Sequence, residues 1–458
     1  MPDSGGMEAL LRSRRILLML GVALYAGLFL FTYQQWLSPV FGYLGFTYSE
    51  PQAIYLALAW VLCLAPCLWM PIDITRPSML VYWILYLVVY VPTMFVPFLV
   101  RLRPPEEVSA LVATLALGNY ILGLSYRLPL LRLSNRQIPP RLFWILLAIS
   151  TSLMIFAVVL VFRGKMHLVS MEDIYGQRAE AKAIAKGGFI GYPMSLLQGM
   201  IAPFFMTFGL VKRKYWLYGV GVAIQVLIYA CLASKSALAS VIFSVAFYLL
   251  LRLSQRGFGL TLSWSLAGLM GGLAIATSGK ASTIAGLVSK LASVVLLRTI
   301  GIPGLLAAQY QSFFTNHPLT YLSHVNVVNW FITYPYDQSL GVTVGYYFSG
   351  DVDLNANANM WMTDGVAAFG LPGILFVSVL CALIFWMVDS ASQRHSVLFG
   401  ASTLTFAALS LANVSLFTAL ISGGLFPLMV MLMVMPSVTL PEGPSWVGAR
   451  FPFLRWRA

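Results

Sequence analysis

Long apolar runs separated by short charged segments constrain this chain more than any other feature. A helix needs roughly 17–25 mostly apolar residues to cross a bilayer, and the sequence offers twelve runs of about that length. They are 16–36, 53–71, 79–100, 108–126, 142–162, 191–211, 215–233, 237–251, 259–277, 366–388, 396–414 and 418–436. We therefore predict an all-α, polytopic membrane protein, with 1–458 as a single integral membrane domain.

Composition supports this prediction and excludes other classes. Of the 458 residues, 59% are hydrophobic and 9% are charged, whereas a soluble chain carries about a quarter charged residues. This excludes a soluble enzyme, a disordered protein and an ordinary nucleic-acid-binding protein. Membrane topology and anionic lipid headgroups explain the formal net charge of +13 better than nucleic-acid binding does. The four cysteines lie in apolar runs, and we expect no disulfide framework, metal site or cofactor.

The positions of Lys and Arg predict the orientation. With a cytoplasmic N-terminus, 17 of the 28 basic residues fall on short inside segments, as the positive-inside rule requires. Twelve crossings also return the C-terminus to the cytoplasm. Two long loops, 163–190 and 278–365, are then extracytoplasmic, and function usually lies on such loops. Within the second loop, 283–308 is interrupted by Lys290 and Arg298 on one helical face, which favours a helix lying in the membrane interface.

The outer loops place cations, carboxylates and imidazoles beside a membrane surface. Preorganised positive charge stabilises a leaving diphosphate, and His or Asp can accept the proton of a hydroxyl nucleophile. The candidate bases are His317, His324, Asp351 and Asp353. Each also has a simpler interpretation, because loop histidines are usually solvated and Asp-x-Asp is typical of a turn as well as of a cation site.

Three cations are candidates for binding an anionic substrate. Arg178 shares a helical face with Tyr175 if that segment is helical, whereas Arg298 lies in the apolar segment of the second loop. Cations in such places often only anchor a helix at the interface. Lys235 stands in a very short turn between two uncharged spans, where a cation is unfavourable unless an anion meets it.

An alternating polar stretch precedes the tenth apolar run. Asn355, Asn357 and Asn359 are separated by alanines. Their amides can line a pocket for sugar hydroxyls or cap the helix that follows. Both interpretations remain open from the sequence.

Three short motifs, in this order, resemble those of bacterial O-antigen and capsule repeat-unit polymerases of the Wzy type and their ligase relatives. They are Tyr175-Gly-Gln-Arg178, the turn Ser234-Lys235-Ser236, and Asn355 to Asn359 followed by Asp364-Gly-Val-Ala-Ala-Phe-Gly370-Leu-Pro-Gly373. The arrangement of about twelve spans with two large outer loops is also similar.

The resemblance implies a GT-C-like membrane glycosyltransferase that acts without a metal. Its substrate would be an oligosaccharide linked to polyprenyl diphosphate, with Arg178 and Lys235 on the diphosphate and Asn355 to Asn359 and Asp364 in the polar substrate region. It implies the bacterial inner membrane as location, O-antigen or exopolysaccharide synthesis as the process, and a chain-length regulator and a flippase as partner proteins.

Two other classes of function stay open. Ligases usually carry a His-Asn pair where this chain has Asn359-Met360, and other polyprenyl-phosphate glycosyltransferases usually place an acidic residue in the first outer loop, where this chain has Glu50. A flippase or other transporter would need charged residues inside its spans, and these spans are nearly uncharged. We therefore expect a polymerase that acts at the outer face of the membrane.

Overall fold

The computed structural model describes residues 4–133, 137–167, 176–177, 181, 184, 189–278 and 293–439. These residues form helices and loops, with no β-strand among them. The helices are α1 (Arg12–Leu44), α2 (Ala53–Leu68), α3 (Ser78–Val100), α4 (Pro105–Arg127), α5 (Pro140–Val161), α6 (Gly191–Val211), α7 (Tyr215–Leu232), α8 (Lys235–Ser254), α9 (Phe258–Thr277), α10 (Ser293–Gly301 continuing as Ile302–Asn316), α11 (Asn326–Asn329), α12 (Leu340–Ser349), α13 (Trp361–Val366 continuing as Ala367–Phe369), α14 (Leu371–Ala391), α15 (Val397–Thr403), α16 (Thr405–Leu411) and α17 (Leu416–Val434).

Ten helices of the described chain are long and apolar enough to cross a membrane, and each coincides with a predicted span. They are α1, α3 to α9, α14 and α17. The chain is therefore an all-helical, multi-pass membrane protein, as the apolar runs predicted.

The other two predicted spans form shorter helices. In 53–71, α2 ends in a tight turn at Ala65–Leu68 that contains Pro66, because proline cannot donate a helical hydrogen bond. In 396–414, the helix is divided between Thr403 and Thr405. The Thr403 hydroxyl donates to the Phe399 carbonyl at 2.8 Å, a bond that bends helices.

The helices differ greatly in how far the protein surrounds them. The most apolar stretch of α3 is buried along its whole length, whereas α5 is largely exposed. Helices α10 and α14 pack close to this centre, against α3 and α4 respectively. The core is thus built around α3, and α5 lies at the periphery.

A sharp reversal before α14 positions part of the candidate site. Gly370 has φ +66°, a backbone conformation that favours glycine, and it separates α13 from α14. Helix α13 folds back on α14 so closely that a Cβ on Gly373 would overlap the Gly365 carbonyl, and a Cβ on Gly365 would lie only 3.0 Å from the Gly373 backbone. The predicted span at 366–388 therefore begins only at Leu371.

The two long predicted loops are described only in part. Residues 168–175, 178–180, 182–183, 185–188 and 279–292 lie outside the described residues. The described part of the predicted interfacial segment begins with Ser293–Gly301, in which Arg298 is exposed and Leu296 and Ile300 are buried. From Pro303 to Gln311 the residues are buried, because α10 packs between α3 and α13. A position of this segment in the membrane interface stays a prediction. The side of the membrane on which these loops lie stays a prediction.

Candidate functional site

A cleft of about 580 Å³ opens where α6, α12 and α17 begin. Amide, hydroxyl and aromatic side chains dominate its surface, including Tyr192, Asn326, Tyr334, Gln338 and Thr418. Burial raises the pKa of Tyr334 to about 12, so its phenol stays protonated at neutral pH. Among the described residues that line the cleft, Asp337 carries the carboxylate, and its side chain is exposed.

The alternating asparagines divide between the cleft and the core. Asn355 and Asn357 line the cleft, whereas Ala356 and Ala358, which alternate with the asparagines, are buried. The Ala356 N–H donates to the Gly341 carbonyl at 2.9 Å, and its carbonyl accepts from the Tyr310 hydroxyl at 2.7 Å. The alternation thus places two amides towards the cleft, and their binding to sugar hydroxyls stays a prediction.

Asn359 has a different place. It is fully buried with φ +79°, a backbone conformation that asparagine tolerates better than most residues. Its Nδ2 donates to the Pro303 carbonyl at 3.0 Å and to the Thr93 hydroxyl at 3.3 Å. Asn359 therefore joins this segment to α10 and α3 and does not line the cleft.

His324 and Asp364 meet at the base of the cleft. His324 lines the cleft, and its Nε2 lies 3.2 Å from Oδ1 of Asp364, which is fully buried in α13. The other oxygen of Asp364 accepts the Leu416 N–H at the start of α17. Burial raises the pKa of Asp364, although His324, the Leu416 N–H and Ser415 act in the opposite direction.

The other predicted bases lie elsewhere. The ring of His317 stacks on Phe313 with centroids 3.9 Å apart, and its Nδ1 is 2.8 Å from the Phe313 carbonyl. Asp351 and Asp353 are exposed, and the Asp353 N–H donates to Oδ1 of Asp351 at 2.9 Å in a turn. None of these three lines the cleft.

A second polar region lies around the turn Ser234–Ser236, here called the serine–lysine turn. Lys235 is exposed at the start of α8. Nε2 of Gln198 donates to the hydroxyls of Ser234 at 3.1 Å and Ser236 at 3.0 Å. Gln198 lies in a π-helical turn of α6, and its carbonyl accepts from Nε2 of Gln225 at 2.9 Å. π-helical turns of this kind are frequent at functional sites.

A glycine contact connects this turn to the cleft. Gly199, the neighbour of Gln198, packs so closely on Gly423 that a Cβ at Gly199 would overlap the Gly423 carbonyl. Ser422, next to Gly423, lines the cleft. Along α6, Gln198 is six residues from Tyr192 at the cleft, about 9 Å at 1.5 Å per residue. The two polar regions are therefore neighbours at one end of the bundle.

The remaining predicted cation-site residues lie apart or outside the described residues. Tyr175 and Arg178 are not among those described, but Gln177 between them is, and its Nε2 donates to the carbonyls of His167 and Ala230. Ala230 lies near the end of α7, five residues before Lys235. Arg298 is exposed on α10 and does not line the cleft.

Several cleft residues were not predicted as site residues from the sequence, among them Tyr192, Ser323, Asp337, Ser339 and Ser415. Asn413-Val-Ser415 interrupts two apolar runs, which is a signal that could have marked Ser415. Tyr192 lies at the start of the predicted span 191–211, and Ser323, Asp337 and Ser339 lie in the second long loop without a motif that marks them. Comparison with protein-family models, with curated proteins and with solved structures gives no match to this chain.

Proposed function

We propose that this chain is a glycosyltransferase that polymerises oligosaccharide repeat units linked to polyprenyl diphosphate, at the outer face of a bacterial inner membrane. The observation that supports this most is that His324, Asn355 and Asn357 line one cleft. Its volume is within the usual range of small-molecule sites. Amides both donate and accept hydrogen bonds, so this lining suits a neutral, hydroxyl-rich glycan.

The diphosphate would bind at the serine–lysine turn. Lys235 supplies positive charge there. Gln198 donates both N–H groups of Nε2 to the hydroxyls of Ser234 and Ser236, and one of these hydroxyls donates to the other, which leaves one hydroxyl proton to donate to the diphosphate. The start of α8 adds the partial positive charge of a helix N-terminus. Roles for Arg178 and Arg298 at the diphosphate are left as predictions.

The chemical step would transfer the growing glycan to a hydroxyl of the next lipid-linked unit. The acceptor oxygen attacks the anomeric carbon and forms the new glycosidic bond, while the bond from that carbon to the diphosphate oxygen breaks. The electron pair of the broken bond leaves with the polyprenyl diphosphate. Asp337 would accept the hydroxyl proton, because its exposed carboxylate lies in the cleft with the two asparagines.

A deletion strain tests the proposed function through its surface glycan. A cell without the polymerase still transfers and attaches one repeat unit, so electrophoresis should give a single-unit band in place of a long ladder. Re-expression of the intact chain should restore the ladder. Long chains that remain on the polyprenyl carrier would instead indicate a ligase, and single units retained on the cytoplasmic face would indicate a flippase.

A further inference from the structure

One buried carboxylate connects two walls of the cleft. Ser323 and His324 form part of one wall, and Ser415 and Phe417 at the start of α17 form part of another. Asp364 in α13 contacts both, through Oδ1 towards Nε2 of His324 and through Oδ2 towards the Leu416 N–H. It lies behind the cleft with no exposed surface, which places it out of reach of a sugar hydroxyl.

Both ring nitrogens of His324 have partners. Nδ1 lies 3.0 Å from the Thr320 hydroxyl, and Nε2 lies 3.2 Å from Oδ1 of Asp364. The Thr320 hydroxyl can donate to Nδ1 or accept from it, so a proton on Nε2 lets the ring donate directly to the Asp364 carboxylate. These two contacts fix the orientation of the ring.

We infer that Asp364 is a positioning residue whose contacts with His324 and with the Leu416 N–H hold two walls of the cleft together. Both ring nitrogens of His324 are engaged, so His324 presents no free nitrogen to an acceptor hydroxyl. This assignment differs from the expectation that His324 is the base and Asp364 binds substrate. The inference about Asp364 rests on the proposed function only where the glycan ladder is used as the measure of activity.

The buried carboxylate makes the contact sensitive to pH. Burial raises the pKa of Asp364, so stability is greatest below the unfolded pKa of about 4 and falls as the pH rises from there through the raised folded pKa. The other titratable groups nearby are Tyr310 on α10, a neutral phenol whose pKa burial also raises, and Tyr334 and Asp337 in the cleft. Glu107 on α4 is paired with Arg103 at 2.7 Å.

Two substitutions separate positioning from proton transfer. In Asp364→Asn, the amide oxygen can accept the Leu416 N–H and the amide nitrogen can donate to Nε2 of His324, so both contacts persist without a titrating proton. In Asp364→Ala both contacts are lost. We expect Asp364→Asn to keep the long glycan ladder within about twofold of wild type, and Asp364→Ala to lose most of it.

A labelling experiment measures the contact without reference to activity. Ser323 is buried at 1% exposure beside His324, and the native cysteines are buried, so Ser323→Cys gives a thiol whose reactivity reports separation of the walls. With purified protein and a maleimide probe at one pH, labelling should be slow in Ser323→Cys and in Ser323→Cys/Asp364→Asn, in which the contacts persist. It should be faster in Ser323→Cys/Asp364→Ala, in which the two walls can separate. Use of a single pH removes ionisation of the thiol from the comparison.

Equal labelling rates in Ser323→Cys/Asp364→Asn and Ser323→Cys/Asp364→Ala would overturn the inference. Loss of the ladder in Asp364→Asn, with labelling like that of wild type, would also overturn it, because the carboxylate would then act in proton transfer. If the deletion strain lacks the single-unit phenotype, the proposed function fails while the labelling result still decides the role of Asp364.

Discussion

The cleft and the serine–lysine turn lie at the same end of the bundle but differ in charge. The described lining of the cleft carries amides, hydroxyls and the carboxylate of Asp337, whereas the turn presents Lys235 with two serine hydroxyls. A diphosphate would be repelled by Asp337 and attracted by Lys235, while sugar hydroxyls find matching partners in the cleft. This difference suggests that one region handles the glycan and the other the leaving group.

The largest effect should follow removal of the carboxylate in the cleft. If Asp337 accepts the hydroxyl proton, Asp337→Asn should lower the polymerisation rate by about 10²–10⁴-fold, the usual contribution of a general base. The length and amount of surface glycan measure it. Asp351→Asn is the matched control, since Asp351 is exposed outside the cleft. Equal ladders from both variants would remove Asp337 from the mechanism.

A somewhat smaller loss should follow removal of the cation in the turn. Lys235→Ala should lower the rate by about 10²–10³-fold, because one donor to a leaving group typically contributes that much. Lys214→Ala is its control, since Lys214 is an exposed lysine at the opposite end of α7. Lys235→Arg keeps the charge and should retain part of the activity. A normal ladder from Lys235→Ala would place the diphosphate elsewhere.

The smallest effect concerns the contact that joins the two regions. Gly199→Ala would push the Gly423 backbone away and should lower the free energy of unfolding by about 1–3 kcal/mol, with a partial loss of glycan. Thermal unfolding of the purified protein measures the first effect. Gly219→Ala on α7 has nothing within 4 Å of the added Cβ and should leave stability nearly unchanged. Equal unfolding temperatures would mean that this contact contributes little.

Local patterns marked part of the cleft. The alternation of asparagine with alanine left open a pocket lining or a helix cap, and in the structure Asn355 and Asn357 line the cleft. Asn359 follows the same pattern but turns into the core, because contacts with Thr93 and Pro303 fix it there. No local pattern distinguishes the third asparagine from the first two.

The sequence by itself determined that this chain crosses a membrane repeatedly as helices, because a bilayer selects long apolar segments whose backbone hydrogen bonds are satisfied internally. Which helices lie at the centre of the bundle depends on the tertiary structure. α3 and α5 are both long and apolar, yet α3 is enclosed by protein and α5 is largely exposed. Asp364 and His324 are 40 residues apart in the chain, and they meet only through the tertiary structure. Hydropathy records the preference of a segment for an apolar environment, whether lipid or protein, whereas contacts between distant residues depend on how the helices pack.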